Sequence, residues 1–239
     1  MRRLSFSLCV AIIAAASVAP TGSLRAAEPV QSAAAASEVR ALSKLAPDAD
    51  PQVLELALAA MRCAQSHRTG SRATRLAVID YSRSSLQRRL WVFDLSSPSL
   101  LRHEWVAHGK GSGEDLPTRF SNDEGSLASS LGMFLTGDTY IGENGYSLRM
   151  TGLEAGFNDA ATSRAIVVHG ADYVDPEVGR RQGRLGRSWG CPALRTAVAR
   201  DVIDELKQGQ FLFSYYPDQA WLTRSALLHC DGTRGASLD

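Results

Sequence analysis

Between about Ser37 and Gly70 the apolar residues recur every three or four positions. From Arg75 onward they arrive as short runs instead: Leu76 to Tyr81, Leu90 to Leu95, Leu100 to Ala107, Met133 to Ile141, Ala165 to Val168 and Phe211 to Tyr216. Side chains repeat every 3.6 residues on a helix and every two on a strand, so this change of period divides the chain into a helical amino-terminal part and a strand-rich body. Asp50 is a natural helix cap and Pro51 suits the first helical position; Leu54, Ala57, Leu58, Met61 and Ala64 then form one apolar stripe before Gly70. Ser37 is predicted to cap a shorter helix carrying Val39, Leu42 and Leu45, after an aperiodic leader over residues 28–36. The polar Ser82-Arg83-Ser84-Ser85 stretch separates the first two runs as a hairpin would. Beyond Cys191, the positions Leu194, Val198, Val202 or Ile203, and Leu206 mark one helix closed by Gly209. The expected fold is a mainly β sheet or sandwich with helices packed on it, in one domain over residues 71–217, a helical segment over 37–70 and a tail over 218–239.

Met1-Arg2-Arg3 followed by the apolar run Leu4 to Ala19 reads as a secretory signal over residues 1–27, with cleavage near Ala26 or Ala27. Export to the periplasm or beyond is therefore expected, with no stable membrane insertion after cleavage. The formal charge is +1, from 26 basic and 25 acidic residues; loss of Arg2, Arg3 and Arg25 leaves 23 basic residues and a mature charge of −2. Such a balance points away from nucleic acid as a partner. The local cluster Arg180, Arg181, Arg184 and Arg187 reads either as a contact for an anionic substrate or as a solvated loop. Removal of Cys9 with the signal leaves Cys63, Cys191 and Cys230, an odd set for a compartment that favours disulfides. If Cys191 must stay free, Cys63 and Cys230 either pair with each other or remain as two thiols.

His169, at the end of a short apolar run, precedes Ser188-Trp189-Gly190-Cys191-Pro192 by nineteen residues. A cysteine attacks a carbonyl as thiolate, and an imidazole can both take the thiol proton and return it to a leaving amine. Gly190 allows backbone to approach a reacting carbonyl, and Pro192 suits the first turn of the helix expected next. Cys191 would then sit at a helix amino terminus, where the helix dipole and His169 would favour thiolate and lower the thiol pKa. Backbone N–H groups of Gly190 and Cys191 are candidate oxyanion donors. Ser188 either orients His169, through its side chain or its carbonyl, or is a turn residue. His103-Glu104 with His108 has the wrong spacing for a zinc helix, so neither metal nor cofactor is expected. The glycines of His108 to Gly113 are loop chemistry, and His108 is assigned to a cleft wall or a turn. Tyr140, Tyr146 and Trp189 are read as contacts for a peptide or sugar, or as ordinary packing.

The segment His169-Gly170, then Ser188, Gly190 and Cys191, resembles the active-site motif of the L,D-transpeptidases, the cysteine enzymes that crosslink bacterial peptidoglycan. Leu76 to Asp94, His108 to Gly113, Phe120-Ser121-Asn122, Ser129 to Gly132 and Gly186 to Trp189 extend the resemblance to the murein L,D-transpeptidase catalytic-domain branch over roughly residues 74 to 216. The resemblance implies a β-sandwich or barrel-like catalytic fold, Cys191 as nucleophile, His169 as base, Ser188 and Gly190 in the catalytic loop, and peptidoglycan stem peptides as partners. It also implies substrate contacts at Gly170, Arg187, Trp189, Arg195 and His108. Trp189 stands where many members have His, and Ala193 where many have Arg, so Arg195 or Arg187 is expected to supply that cation. The implied activity is L,D-transpeptidation; hydrolysis of the same bond, or peptidoglycan binding without turnover, are the alternatives.

Overall fold

The computed structural model describes residues 28–230. The signal-like segment 1–27 lies outside them. Helix α1 (Glu28–Leu45) begins nine residues before the expected Ser37, so residues 28–36 are its first turns and not a leader. Helix α2 (Pro51–Ser66) starts where the sequence places it, with Asp50 Oδ1 accepting the Gln52 N–H at 2.8 Å and Pro51 needing no partner for an amide hydrogen. Among the described residues no helix is long and apolar enough to cross a membrane.

The body is one nine-stranded sheet, nearly closed, in the order β3-β2-β1-β9-β5-β6-β7-β8-β4. Strand β1 (Arg75–Asp80) lies antiparallel to β2 (Leu90–Asp94) and parallel to β9 (Phe211–Tyr215). The expected run Leu100 to Ala107 divides at Trp105 into β3 (Ser99–Glu104) and β4 (Val106–Ala107), which occupy opposite edges of the sheet. Strands β5 (Gly132–Gly142) and β6 (Gly145–Gly152) form a hairpin, and β7 (Val167–Gly170) pairs with β6.

Alternation along the central strands sorts residues onto two buried faces. Leu76, Val78, Phe211 and Phe213 face Leu54, Leu58 and Met61 of α2, whereas Ala77, Ile79 and Leu212 face the other side. There α4 (Thr196–Leu206) covers the sheet with Ala199, Val202, Ile203 and Leu206, spaced at helical intervals. Cys191 belongs to this second core.

The helix after Cys191 starts later than the sequence suggests. Ala193 and Leu194 instead form β8, inserted between β7 and β4, and α4 begins only at Thr196 with Arg195 at its cap position. Pro192 consequently leads into a strand. A short helix, α3 (Pro176–Gln182), capped by Asp175, carries Arg180 and Arg181 of the arginine cluster, and Arg184 and Arg187 follow it. The expected tail includes α5 (Gln219–Arg224), whose Trp221 is fully buried and donates its indole N–H to Glu154 at 2.9 Å. A disulfide joins Cys63, near the end of α2, to Cys230, with a sequence separation of 167.

Candidate active site

Strand β7 carries His169 next to the chain that follows Cys191, because β8 pairs beside it in parallel, with His169 opposite Ala193 and Gly170 opposite Leu194. Cys191 lies two residues before that register. Its Sγ receives the Val167 N–H at 3.5 Å and faces the Ala165 carbonyl at 3.8 Å, so the entry to β7 cradles the sulfur and its end carries His169. Ala165 adopts a left-handed φ of 53°, uncommon outside glycine, and this aims its carbonyl at the thiol.

The imidazole is oriented by its neighbour in sequence. His169 Nδ1 lies 2.9 Å from the Gly170 carbonyl, which can only accept; Nδ1 therefore holds the proton and Nε2 is left as the basic nitrogen. Ser188, read either as orienting this ring or as a turn residue, makes its side-chain hydrogen bonds within the turn. Its Oγ donates to the Cys191 carbonyl at 2.6 Å and accepts the Gly190 N–H at 3.1 Å, closing the Cys191 turn. That bond occupies one expected oxyanion donor, Gly190 N–H, whereas the Cys191 N–H bonds no other residue among those described.

Burial sets the protonation states. It pushes the Cys191 thiol above its ordinary 9.0, against smaller opposing effects from the Val167 N–H, the Arg164 charge and its own amide. The expected lowering fails because no helix begins at Cys191 and the sulfur is desolvated. Burial likewise lowers His169 below 6.5, only partly offset by its bond to Gly170. The resting pair is thus a neutral thiol with a neutral imidazole, and no hydrogen bond joins Sγ to His169.

The turn is held from behind. Gly190 has φ 131°, and a Cβ there would lie 2.9 Å from the Ala128 carbonyl and 2.8 Å from Ile166. Gly109 presses on it so closely that its own Cβ would come within 2.8 Å of Gly190 Cα. Buried Ser129 bridges the two glycines, accepting the Gly109 N–H at 3.0 Å and donating to the Gly190 carbonyl at 3.1 Å.

A model of the L,D-transpeptidase catalytic domain matches residues 45–215. The chain belongs to the L,D-transpeptidase catalytic-domain family. Solved structures to which the chain shows similarity include an L,D-transpeptidase from Mycobacterium smegmatis, at 17% identity and TM-score 0.37, with 60% of this chain and 59% of that one covered. Another, from Stackebrandtia nassauensis, is 14% identical at TM-score 0.35, covering 66% of each chain. The present chain thus spans less than two thirds of these proteins' lengths. No curated protein matches it in sequence.

Within this L,D-transpeptidase domain the remaining expected contacts separate into two groups. Trp189 is 72% exposed beside Cys191, with the Lys110 ammonium 5.4 Å from its ring centre. The arginines are committed elsewhere: Arg195 forms a two-pronged pair with Glu104 at 2.7 and 3.0 Å, and Arg187 shares Glu114 with Arg184. His108, read as a cleft wall or a turn residue, is buried, with its Nε2 3.4 Å from the Gly113 carbonyl across the 108–113 turn. Fully buried Arg89 donates to its Nδ1 at 2.8 Å, and burial together with that charge lowers the ring's pKa to about 3. His103 and Glu104 are likewise engaged, with Asp48 and Arg195. Tyr146 bonds Asp204 at 2.7 Å, and Tyr140 lies under Arg149. Among the described residues one Cys/His cluster has the spread of a metal site, Cys63, His67 and Cys230, but both its sulfurs are in the disulfide.

Arg164 and Tyr173 were not singled out in the sequence, and Ala165, Ser129 and Lys110 lay in segments that were, without a role of their own. Arg164 fastens the 121–130 segment with four bonds, to the Ser121 and Ala128 carbonyls and to the Ser126 and Ser130 hydroxyls. The Tyr173 phenol is raised above its ordinary 10.0, first by burial and then by the charge Cys191 carries when ionised. The local signal was position: Arg164 directly precedes, and Ala165 opens, the run that delivers His169.

Proposed function

We propose that this protein is an exported cysteine acyltransferase that performs L,D-transpeptidation on peptidoglycan stem peptides through a thioester at Cys191. The observation that carries this reading is that residues 165–169 both hold the Cys191 sulfur and present an imidazole whose Nδ1 proton is committed to Gly170. Nε2 is thereby available as base. The Ala165 contact, at 3.8 Å, is a weak hold on the thiol hydrogen.

As substrate enters, the thiol proton passes to His169 Nε2 and Sγ bonds to the carbonyl carbon that follows a meso-diamino acid. The Cys191 N–H, bonded to no other described residue, supports developing negative charge on that carbonyl oxygen. The carbon–nitrogen bond then breaks, and His169 gives its proton to the departing D-alanine amine, leaving a thioester. An acceptor amine attacks the thioester carbon, His169 takes its proton, and the sulfur leaves and is reprotonated.

Incubation of the mature protein with muropeptides, followed by mass spectrometry of protein and products, tests the reading. A thioester adduct on the wild type, absent from Cys191→Ser, with D-alanine release and crosslinked product is expected. D-alanine release without crosslinks would make water the acceptor and the enzyme an L,D-carboxypeptidase. Muropeptide binding with neither adduct nor product would overturn catalysis in favour of a binding role.

A further inference from the structure

The reaction proposed above takes a donor peptide whose leaving D-alanine ends in a carboxylate, so a cation near Cys191 would distinguish a true chain end from an internal peptide bond. The two arginines flanking Cys191 in sequence already have their charge paired: Arg187 reaches Glu114 and the Gly113 carbonyl through Nη1, and Arg195 is held two-pronged by Glu104. Arg164 has its four terminal guanidinium hydrogens on neutral oxygens behind the turn.

Lys110 is different. Its backbone is fixed against the catalytic turn, donating N–H to the Ser188 carbonyl at 2.8 Å, next to the contact between Gly109 and Gly190. Its side chain is exposed, and the ammonium, 5.4 Å from the centre of the Trp189 ring, meets no oxygen among the described residues. Trp189 itself is 72% exposed, two residues from the nucleophile. A cation held on an aromatic face by the ring alone keeps N–H donors available to an incoming anion, and the ring beside it offers apolar surface to a small side chain.

We infer that Lys110, steadied on the Trp189 face, recognises the terminal carboxylate of the donor peptide and so selects chain ends for attack by Cys191. This rests on the reading of Cys191 as the nucleophile toward stem peptides, but binding tests it apart from turnover. In a Cys191→Ser background, a tetrapeptide ending in meso-diaminopimelate and D-alanine is titrated as the free acid and as its carboxy-terminal amide. The acid should bind roughly fivefold more tightly than the amide, as expected of a solvent-exposed charge contact, and the preference should shrink as salt is raised. Lys110→Met, which keeps the aliphatic stem, should remove the preference by weakening the acid alone, and Lys110→Arg should retain most of it. An acid preference that survives in Lys110→Met, equal weakening of both peptides, or binding of neither form to the parent would each overturn the assignment. Loss of adduct formation in the wild type with the acid preference intact would instead reject the transpeptidase reading and leave the carboxylate site standing.

Discussion

Ser129→Ala tests whether the catalytic turn is held by the hydroxyl that bridges Gly109 and Gly190. The substitution removes one oxygen that accepts a buried N–H at 3.0 Å and donates to a buried carbonyl at 3.1 Å. Each group left without a partner is expected to cost about 1–3 kcal/mol. Beside Ser129 lies a void of about 10 Å³, bounded also by Tyr81, Gly190 and Pro192, near the lower limit for one water molecule. Deleting the hydroxyl enlarges it, so a water can replace part of the lost bonding, and a net destabilisation of about 2 kcal/mol is expected. Freed from Ser129, the Gly190 carbonyl loses a restraint immediately before the Cys191 N–H, and acylation should fall by roughly ten- to a hundredfold, the scale of a displacement near 1 Å. Urea unfolding followed by tryptophan fluorescence gives the first number, and the rate of thioester formation gives the second. A midpoint shift equivalent to under about 0.5 kcal/mol together with an unchanged acylation rate would refute the bridging role.

The pH profile of acylation should be bell-shaped and broad. The competent pair shares one proton, gained in excess as pH falls below the lowered His169 pKa and lost as pH rises past the raised Cys191 pKa; the acid limb should therefore lie below 6.5 and the alkaline limb above 9.0. A limb near pH 8 in the initial acylation rate would contradict the burial argument. Acid should also destabilise the fold through His108, which stays neutral when folded down to about pH 3 while its unfolded counterpart protonates near 6.5. In that window the unfolded chain binds more protons, so stability present above 6.5 is lost as pH falls, by about 2 kcal/mol at pH 5. Unfolding midpoints of His108→Gln between pH 6.5 and 4 should show a flatter slope than wild type, and parallel slopes would rule this source out. Reduction of the Cys63–Cys230 bond, which spans 167 residues, should lower stability by about 2–5 kcal/mol while leaving Cys191 chemistry in place, measured by denaturation with and without reductant.

The chain's own periodicity revealed α2 with its Asp50 cap, the central runs that became β1, β2, β5 and β9, and the pairing of a strand-end His169 with a glycine-flanked Cys191. Those signals are local: capping, alternation and turn chemistry act over a few residues, so they can be read without knowing what lies across the fold. Residues 193–194 show where local reading stops. Ala193 and Leu194 suit a helix as well as a strand, and only the open position between β7 and β4 makes them β8. That choice moves the helix start to Thr196 and withholds its dipole from Cys191.

Charge near the site was decided in the same way. Arg187 and Arg195 look like free cations in sequence, but Glu114 and Glu104, 73 and 91 residues away, take them up, leaving Lys110 over Trp189. The sequence by itself determined which atoms can react, because a thiol and an imidazole are intrinsic to their side chains. The tertiary structure alone decided their proton states and their neighbours, because desolvation and hydrogen bonding depend on residues distant in the chain that folding brings to the same few ångströms.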